Sequence, residues 1–150
     1  MNYKIQLLDN SKLQETIDVC IGCFGEDWRH IADQDFPASL SNYVYKPNTF
    51  VALNEEEQVI GLSVVTPVFL TPDTYSITWL GTKEGYRKQG IATSLVKACE
   101  QYILDELMMF DKAMVMLASA VSMEYYESLG YVKKFTTHRD DPLMIKYLNK

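Results

Sequence analysis

The stretch EGYRKQGIA, residues 84–92, constrains the fold of this 150-residue chain more than any other part of its sequence. It leads from a strand-like segment into an amphipathic helix that begins after Gly90, and it combines two glycines with two cations, Arg87 and Lys88. The start of a helix leaves about four backbone N–H groups unpaired and carries a partial positive charge. Glycine lets a ligand approach that backbone closely. The stretch therefore predicts a strand–turn–helix unit that binds an anion, especially a phosphate.

Three phosphate-binding patterns compete for this turn. Gly85 and Gly90 satisfy the first part of a P-loop, but Ile91 and Ala92 stand where that motif needs a lysine and a hydroxyl residue. The G-x-G-x-x-G dinucleotide fingerprint is absent from the sequence. A nucleotide-binding domain is therefore a weakened alternative. The third pattern, Arg-x-x-Gly-x-Ala, is matched by residues 87–92 at every fixed position.

The sequence contains no internal repeat, low-complexity tract or linker, so we predict one domain, residues 1–150. Ser11 with Gln14 predicts a capping box at the start of the first helix, and Gly130 predicts a left-handed helix stop. The segment 25–48 is irregular, aromatic and acidic, and we expect a short helix there between loops. The alternation predicts an α/β or α+β fold with helices around a mixed sheet. Strands are predicted at 3–8, 49–53, 59–70, 75–82, 113–119, 131–137 and 143–148, and helices at 11–23, after Gly90 and at 122–130.

Charge and composition argue against several classes of function. Twenty acidic and fourteen basic residues give a net charge of −6, which disfavours binding to nucleic acid or anionic membranes because both need a basic face. No apolar run approaches the roughly 18 residues of a membrane span, and the N-terminus shows no signal-peptide pattern, so a cytoplasmic protein is expected. Cys20 and Cys23 form a C-x-x-C without a second cysteine pair, which favours buried thiols over a metal or redox site.

The turn and a second motif together resemble the GNAT superfamily of N-acetyltransferases. Residues 87–92 resemble that family's coenzyme A pyrophosphate loop, and YYESLGYV, residues 125–132, is similar to its Tyr-x-x-x-Gly-Phe motif. The elements between the two motifs follow in the family's order. Two positions depart from the family pattern, since Ser119 replaces a frequent Asn and Glu84 a frequent Pro. The resemblance implies a GNAT-like acyl-CoA N-acyltransferase fold, with a mixed, mostly antiparallel central sheet flanked by helices, that uses acetyl-CoA.

The resemblance also implies which residues hold the cofactor. In such a fold two neighbouring parallel strands splay apart, and the pantetheine arm pairs with the exposed strand edge as an extra strand would. Backbone amides at the start of the helix would hold the pyrophosphate, a hydroxyl of the first turn would assist, and the two cations would add charge. The implied cofactor-binding residues are Leu80, Gly81, Thr82, Arg87, Lys88, Gln89, Gly90, Ile91, Ala92, Thr93, Ser94 and Ser119.

Tyr126 is the predicted catalytic residue because it matches the family tyrosine that precedes the glycine by four residues. Its expected role is to stabilise the leaving thiolate. Tyr125 lies four residues from both Val121 and Leu129, which predicts a place in the core, whereas Tyr126 lies on a more polar face. A thiol titrates near ~8.5 and a tyrosine near ~10, so hydrogen bonding to the sulfur is favoured over complete proton transfer.

The acceptor pocket is expected in the segment 25–48, whose aromatic faces would suit an ammonium group through cation–π contact. We therefore expect acetyl transfer to the primary amine of a small, cationic molecule. Cys99 lies on the apolar face of its helix, which favours direct transfer in a ternary complex over an acyl-cysteine route. A non-catalytic acyl-CoA-binding sensor is the alternative, and a homodimer is compatible with the family. The predicted substrate-binding residues are Trp28, His30 and Tyr43, and the general base is left open among Glu26, Asp27, His30, Asp33 and Asp35.

Overall fold

The computed structural model describes residues 2–118 and 123–150 and builds them around a mixed sheet. Its strands are β1 (Lys4–Leu7), β2 (Asn48–Leu53), β3 (Val59–Pro67), β4 (Thr74–Thr82), β5 (Lys112–Ala118), β6 (Val132–Thr136) and β7 (Pro142–Asn149). Its helices are α1 (Leu13–Phe24), α2 (Arg29–Ala38), α3 (Ile91–Tyr102) and α4 (Met123–Ser128).

The seven strands lie in the order β1-β2-β3-β4-β5-β7-β6. The neighbours β4 and β5 run parallel, and the other neighbouring pairs are antiparallel. The predicted hairpin of β2 and β3 and the predicted final pair of β6 and β7 are present, although β7 lies between β5 and β6. The predicted fold class, a mostly antiparallel sheet flanked by helices, is confirmed.

Two apolar clusters cover the two faces of the sheet. Strand β2 is buried throughout and β3 over most of its length, as expected of interior strands covered on both faces. Helices α1 and α2 contribute Ile17 and Phe36 to the cluster on one face. Helix α3 contributes Leu95 and Cys99 to the cluster on the other. Helices α1, α2 and α3 therefore supply the two helical layers of the core.

The start of α1 differs from the predicted capping box. A 3-10 turn, Asn10–Lys12, precedes the helix, and a carboxylate oxygen of Asp9 accepts the backbone N–H of Ser11 at 2.9 Å. The Ser11 hydroxyl donates to the same oxygen. The capping box of Ser11 and Gln14 is therefore wrong, because the ionised side chain of Asp9 is the stronger acceptor and already engages Ser11. The segment 25–48 is also more helical than expected, since α2 spans ten residues.

Strand β4 carries a bulge. The bulge changes which of its side chains face the helices on each side of the sheet. Leu62 opposes Gly81 and Val64 opposes Thr78, so two residues of β4, Trp79 and Leu80, lie opposite a single residue of β3. Trp79 has a φ of 56°, a left-handed conformation that is rare for a bulky residue. As a result Trp79 packs with α1 and α2, while Leu80 packs with the cluster of α3. The bulge thus places Leu80 next to the start of α3.

A charged network fixes the position of α4. The Lys146 ammonium donates to both carboxylate oxygens of Glu100 at 3.0 and 3.2 Å and to the carbonyl of Leu129 at 2.8 Å. The Tyr131 hydroxyl donates to the same carboxylate at 2.8 Å. The backbone N–H of Tyr131 in turn donates to the carbonyl of Tyr126 at 3.1 Å. Helix α3, the turn after α4 and strand β7 are therefore tied together beneath Tyr126.

Candidate active site

A cleft of about 590 Å³ opens beside the last residues of β4. Strands β4 and β5 pair over Thr74, Tyr75 and Ser76, whereas β4 continues to Thr82. The end of α1, the start of α3 and the helix α4 form the other walls. Of the predicted site residues, those that line the cleft are Leu80, Gly81, Thr82, Arg87, Lys88, Gly90, Ile91, Ala92, Thr93 and Tyr126.

The backbone of the glycine turn is left-handed at three positions. Gly85, Lys88 and Gly90 have φ values of 91°, 63° and 81°, and Gly90 is the N-cap of α3. A Cβ at Gly90 would meet only the Tyr3 hydroxyl oxygen, at 3.7 Å, so the backbone conformation rather than space selects glycine there. The cap offers no side-chain acceptor to the first N–H groups of the helix. Those groups and the exposed Arg87 and Lys88 side chains provide positive potential at the wall of the cleft.

The two hydroxyls of the first turn of α3 are differently placed. The Thr93 hydroxyl lies 2.7 Å from the Tyr125 hydroxyl, which links α3 to α4 across the cleft. The Ser94 hydroxyl lies 2.7 Å from the Tyr3 hydroxyl, and neither Ser94 nor Gln89 is part of the cleft lining. The predicted contact at Ser119 lies outside the described residues.

Both tyrosines of α4 line the cleft, and their ring centroids are 5.0 Å apart. Tyr126 packs against the core cluster of α3, and its burial raises its pKa to about 12, with a smaller contribution from Tyr125. Tyr125 is half-buried and holds Thr93. The prediction that Tyr125 belongs to the core is therefore wrong. Helical spacing shows which residues share a face of α4, but the sheet and α3 decide which face is covered.

The sequence did not predict that the end of α1 contributes to the cleft. Cys23 and Phe24 both line it, and the Cys23 thiol donates to the carbonyl of Thr82 at 3.6 Å. A Cβ on Gly81 would come within 3.0 Å of the Cys23 sulfur, so α1 approaches β4 closely only because position 81 is glycine. Burial raises the pKa of Cys23, while the neighbouring Arg87 guanidinium opposes that shift. Cys20 is buried, as expected, whereas Cys23 is only half-buried.

The predicted acceptor residues do not line the cleft. Trp28 packs edge-on against Trp79 with the ring centroids 5.8 Å apart, and Phe24, which does line the cleft, contacts Trp79 in the same way at 5.4 Å. His30 is an exposed residue of α2. Tyr43 lies against Tyr45 at 6.1 Å, on the loop after α2. Trp28 is therefore connected to the cleft through an aromatic cluster.

Two of the candidate bases already have partners. Glu26 accepts two hydrogen bonds from the Arg29 guanidinium, at 2.7 and 3.1 Å, which lowers the pKa of Glu26. Asp35 accepts the indole N–H of Trp79 at 3.0 Å. Asp27 and Asp33 are exposed. Of the five candidates, Glu26 and Asp35 are therefore already hydrogen-bonded, and Asp27, His30 and Asp33 are exposed.

Within residues 2–118 and 123–150, no group of three or more histidine, cysteine or acidic side chains is arranged to hold a metal ion. Over the same residues, no helix has both the length and the apolar character needed to cross a membrane.

Solved structures of acetyltransferases share this fold over nearly the whole chain. The PaiA N-acetyltransferase of Thermoplasma acidophilum, solved in complex with coenzyme A, is 16% identical, with a TM-score of 0.77 over 99% of this chain and 100% of that one. A GNAT-family acetyltransferase of Staphylococcus aureus is 14% identical, with a TM-score of 0.73 over 99% and 100%. One from Desulfovibrio desulfuricans is 16% identical, with a TM-score of 0.72 over 99% and 98%.

Sequence comparison assigns the family. Among curated protein sequences, none matches this chain significantly. The sequence pattern of the acetyltransferase (GNAT) family, however, matches residues 13–131, which include the glycine turn, the cleft walls and Tyr126. The chain therefore belongs to the acetyltransferase (GNAT) family, whose members are acyltransferases that use acetyl-CoA.

Proposed function

We propose that this acyltransferase transfers the acetyl group of acetyl-CoA directly to the primary amine of a small, cationic molecule. One observation carries the proposal: a single cleft is lined both by the N-cap of α3 at Gly90 and by the Tyr126 ring. A helix N-terminus and a hydrogen-bond donor that line one cavity suit a ligand that carries both phosphates and a reacting group.

The residues of the cleft fit the phosphates and the pantetheine arm. The first N–H groups of α3, with Arg87 and Lys88, would hold the pyrophosphate. The strand edge at Leu80, Gly81 and Thr82 would pair with the amides of the arm, because β4 extends beyond its pairing with β5 among the described residues. Acetyl-CoA supplies the acetyl group as an activated thioester.

Tyr126 would act as a neutral hydrogen-bond donor to the sulfur. Its pKa of about 12 keeps the phenol protonated at any physiological pH. Proton transfer from such a phenol to a thiolate that titrates near ~8.5 is unfavourable by roughly 5 kcal/mol. Hydrogen bonding to the sulfur, as negative charge develops on it, avoids that cost. General acid catalysis typically accelerates a reaction by about 10²–10⁴-fold.

The acceptor would enter beside the aromatic cluster. Phe24 joins the cleft to Trp79 and Trp28, and the faces of indole rings attract cations. Asp27 and Asp33 lie exposed in the same segment of the chain, and the net charge of −6 favours the approach of a cation. These features support an acceptor that carries a second positive charge besides its reacting amine.

Coenzyme A release with a panel of amines tests the proposal. Amines with a second cationic group should react faster than amines of the same length with a neutral or carboxylate group. Equal rates across the panel would refute the cationic preference while leaving amine transfer intact. Binding of acetyl-CoA without turnover of any amine would instead favour the alternative of an acyl-CoA sensor.

A further inference from the structure

Tyr125 lies beside Tyr126, the proposed hydrogen-bond donor to the sulfur. Both side chains line the cleft, and their ring centroids are 5.0 Å apart with the ring planes at 67°. The Tyr125 hydroxyl lies 2.7 Å from the hydroxyl of Thr93, so that a hydrogen bond spans from α4 to the first turn of α3. The N–H groups of that turn would hold the pyrophosphate. One hydrogen bond therefore joins the proposed phosphate site to the helix that carries Tyr126.

Helix α4 depends on side-chain contacts for its position. It is six residues long, and isolated helices this short are not stable in water. Every residue of α4 is at least partly exposed, and the half-buried ones are Tyr125 and Tyr126. The network around Lys146 holds the C-terminal end of the helix through the carbonyl groups of Tyr126 and Leu129. The hydrogen bond to Thr93 holds the helix on the side of the cleft.

The ring of Tyr126 contacts two other tyrosine rings, and a hydroxyl group fixes each of them. The Tyr131 ring lies 6.2 Å away, is 1% exposed and donates its hydroxyl to Glu100. The Tyr125 ring lies 5.0 Å away and is hydrogen-bonded to Thr93. Both contacts are edge-on, an arrangement that aromatic pairs prefer. The direction in which Tyr126 presents its hydroxyl therefore depends on Tyr125 as well as on the buried Tyr131.

We propose that Tyr125 is a positioning residue, which through its hydrogen bond to Thr93 fixes the Tyr126 hydroxyl where charge develops on the sulfur. The inference rests on the proposed function, since Tyr125 would act only through the hydroxyl of Tyr126. Placement matters because a shift of about 1 Å in a reacting group can lower a rate by about 10²-fold. One hydrogen bond between neutral groups contributes less, so its loss should reduce kcat by roughly 3–10-fold.

Steady-state kinetics with acetyl-CoA and the fastest-reacting amine of the panel test the inference. Tyr125→Phe and Thr93→Val should each lower kcat by roughly 3–10-fold. The KM of Tyr125→Phe for acetyl-CoA should stay within about twofold of wild type, because the lost bond acts on the transition state. The double variant should be no slower than either single variant, since all three lack the same hydrogen bond. Thr93→Ser keeps the hydroxyl and should restore most of kcat.

Two comparisons separate positioning from a general loss of structure. Tyr3→Phe is the matched control, because the Tyr3 hydroxyl lies 2.7 Å from the hydroxyl of Ser94, in the same turn of α3 but outside the cleft lining. It removes the same chemical group and should leave kcat unchanged. In a Tyr126→Phe background, Tyr125→Phe should lower kcat no further, because the hydroxyl that it positions is already absent. A further fall by the same factor would show that Tyr125 acts independently and would overturn the inference.

Nuclear magnetic resonance of the protein with isotope-labelled tyrosine rings gives an answer that needs no acceptor. Tyr126→Phe identifies the Tyr126 signal, and coenzyme A is the probe ligand. Thr93→Val leaves every tyrosine ring in place, so a shifted Tyr126 signal in this variant, with and without coenzyme A, supports the inference. An unshifted signal there, or a wild-type kcat in both Tyr125→Phe and Thr93→Val, would overturn it. The proposed function fails separately, since none of the amines would then react, wherever the Tyr126 signal lies.

Discussion

Trp79 donates its indole N–H to a carboxylate oxygen of Asp35 at 3.0 Å, and the backbone of the same tryptophan has a φ of 56°. A bulky residue in the left-handed region costs about 1–3 kcal/mol and persists only where its surroundings hold it. The hydrogen bond and the rings of Phe24, Trp28 and Phe36 supply that restraint. Because the bulge at Trp79 turns Leu80 toward α3, the floor of the cleft depends on this contact.

Asp35→Leu should therefore lower both stability and acetyl-CoA affinity. It leaves the indole N–H without its acceptor, which should reduce the free energy of unfolding by about 1–3 kcal/mol. Asp35→Asn retains an acceptor oxygen and should recover most of both quantities. Urea denaturation and calorimetric titration with acetyl-CoA check this. Identical affinities in Asp35→Leu and wild type would show that the bulge does not need the contact.

Tyr126→Phe should reduce kcat by about 10²–10⁴-fold and leave KM for acetyl-CoA nearly unchanged, because the hydroxyl acts on charge that develops only during transfer. Tyr147→Phe is the control, since Tyr147 is 51% exposed on β7 outside the cleft. Steady-state kinetics of Tyr126→Phe, Tyr147→Phe and wild type measure kcat and KM. A kcat within a factor of a few of wild type would leave Tyr126 as a packing residue.

Gly90→Ala should weaken acetyl-CoA binding and destabilise the fold by about 1–2 kcal/mol, because φ at Gly90 is 81° and a Cβ disfavours that conformation. Gly22→Ala is a matched control in helix α1, where a Cβ meets nothing within 4 Å. It should stabilise the protein by up to about 1 kcal/mol. Denaturation curves compare the stabilities of the two variants, and calorimetric titrations compare their affinities for acetyl-CoA. Equal acetyl-CoA affinity in both would argue against an anion site at the cap.

The three cysteines should differ in reactivity toward a chromogenic disulfide reagent. Burial raises the pKa of both Cys20 and Cys99 to about 12, so these thiols should react slowly in the native protein. Cys23 lies half-buried in the cleft wall and should react first. Bound acetyl-CoA should slow that reaction, and the comparison of Cys23→Ser with wild type identifies the thiol. Modification of Cys23 at the same rate with and without acetyl-CoA would place the ligand elsewhere.

Stability should fall steeply above pH ~10. Tyr126 holds its proton to about pH 12 in the folded chain, whereas an unfolded tyrosine loses it near ~10, so the folded state binds more protons between these values. Its contribution is present below pH ~10 and at pH ~11 is reduced by about 1 kcal/mol. Burial raises the pKa of Tyr75 and Tyr131 in the same direction. Urea unfolding at several alkaline pH values tests this, and a smaller slope in Tyr126→Phe isolates the one residue.

Local sequence patterns were sufficient to predict most of the helices and strands. Apolar spacing after Gly90 predicted α3, and alternating apolar runs predicted the strands, because both depend on which residues must face the core. The pattern at residues 87–92 located the glycine turn, since the left-handed cap conformation depends on the residue itself. The sequence motifs also identified the GNAT family, which the match over residues 13–131 confirms.

Only the tertiary structure decided how these elements meet. Whether Tyr125 or Tyr126 faces the core depends on the packing of α4 against α3, and the contribution of Cys23 to the cleft depends on a close approach of α1 to Gly81. The positive φ of Trp79 is held by Asp35, which is 44 positions away in the sequence. Contacts between residues so far apart leave no periodicity in the sequence, because each is determined by the packing of separate elements. The sequence therefore determined most of the helices and strands and the glycine turn, and long-range packing determined the walls of the cleft.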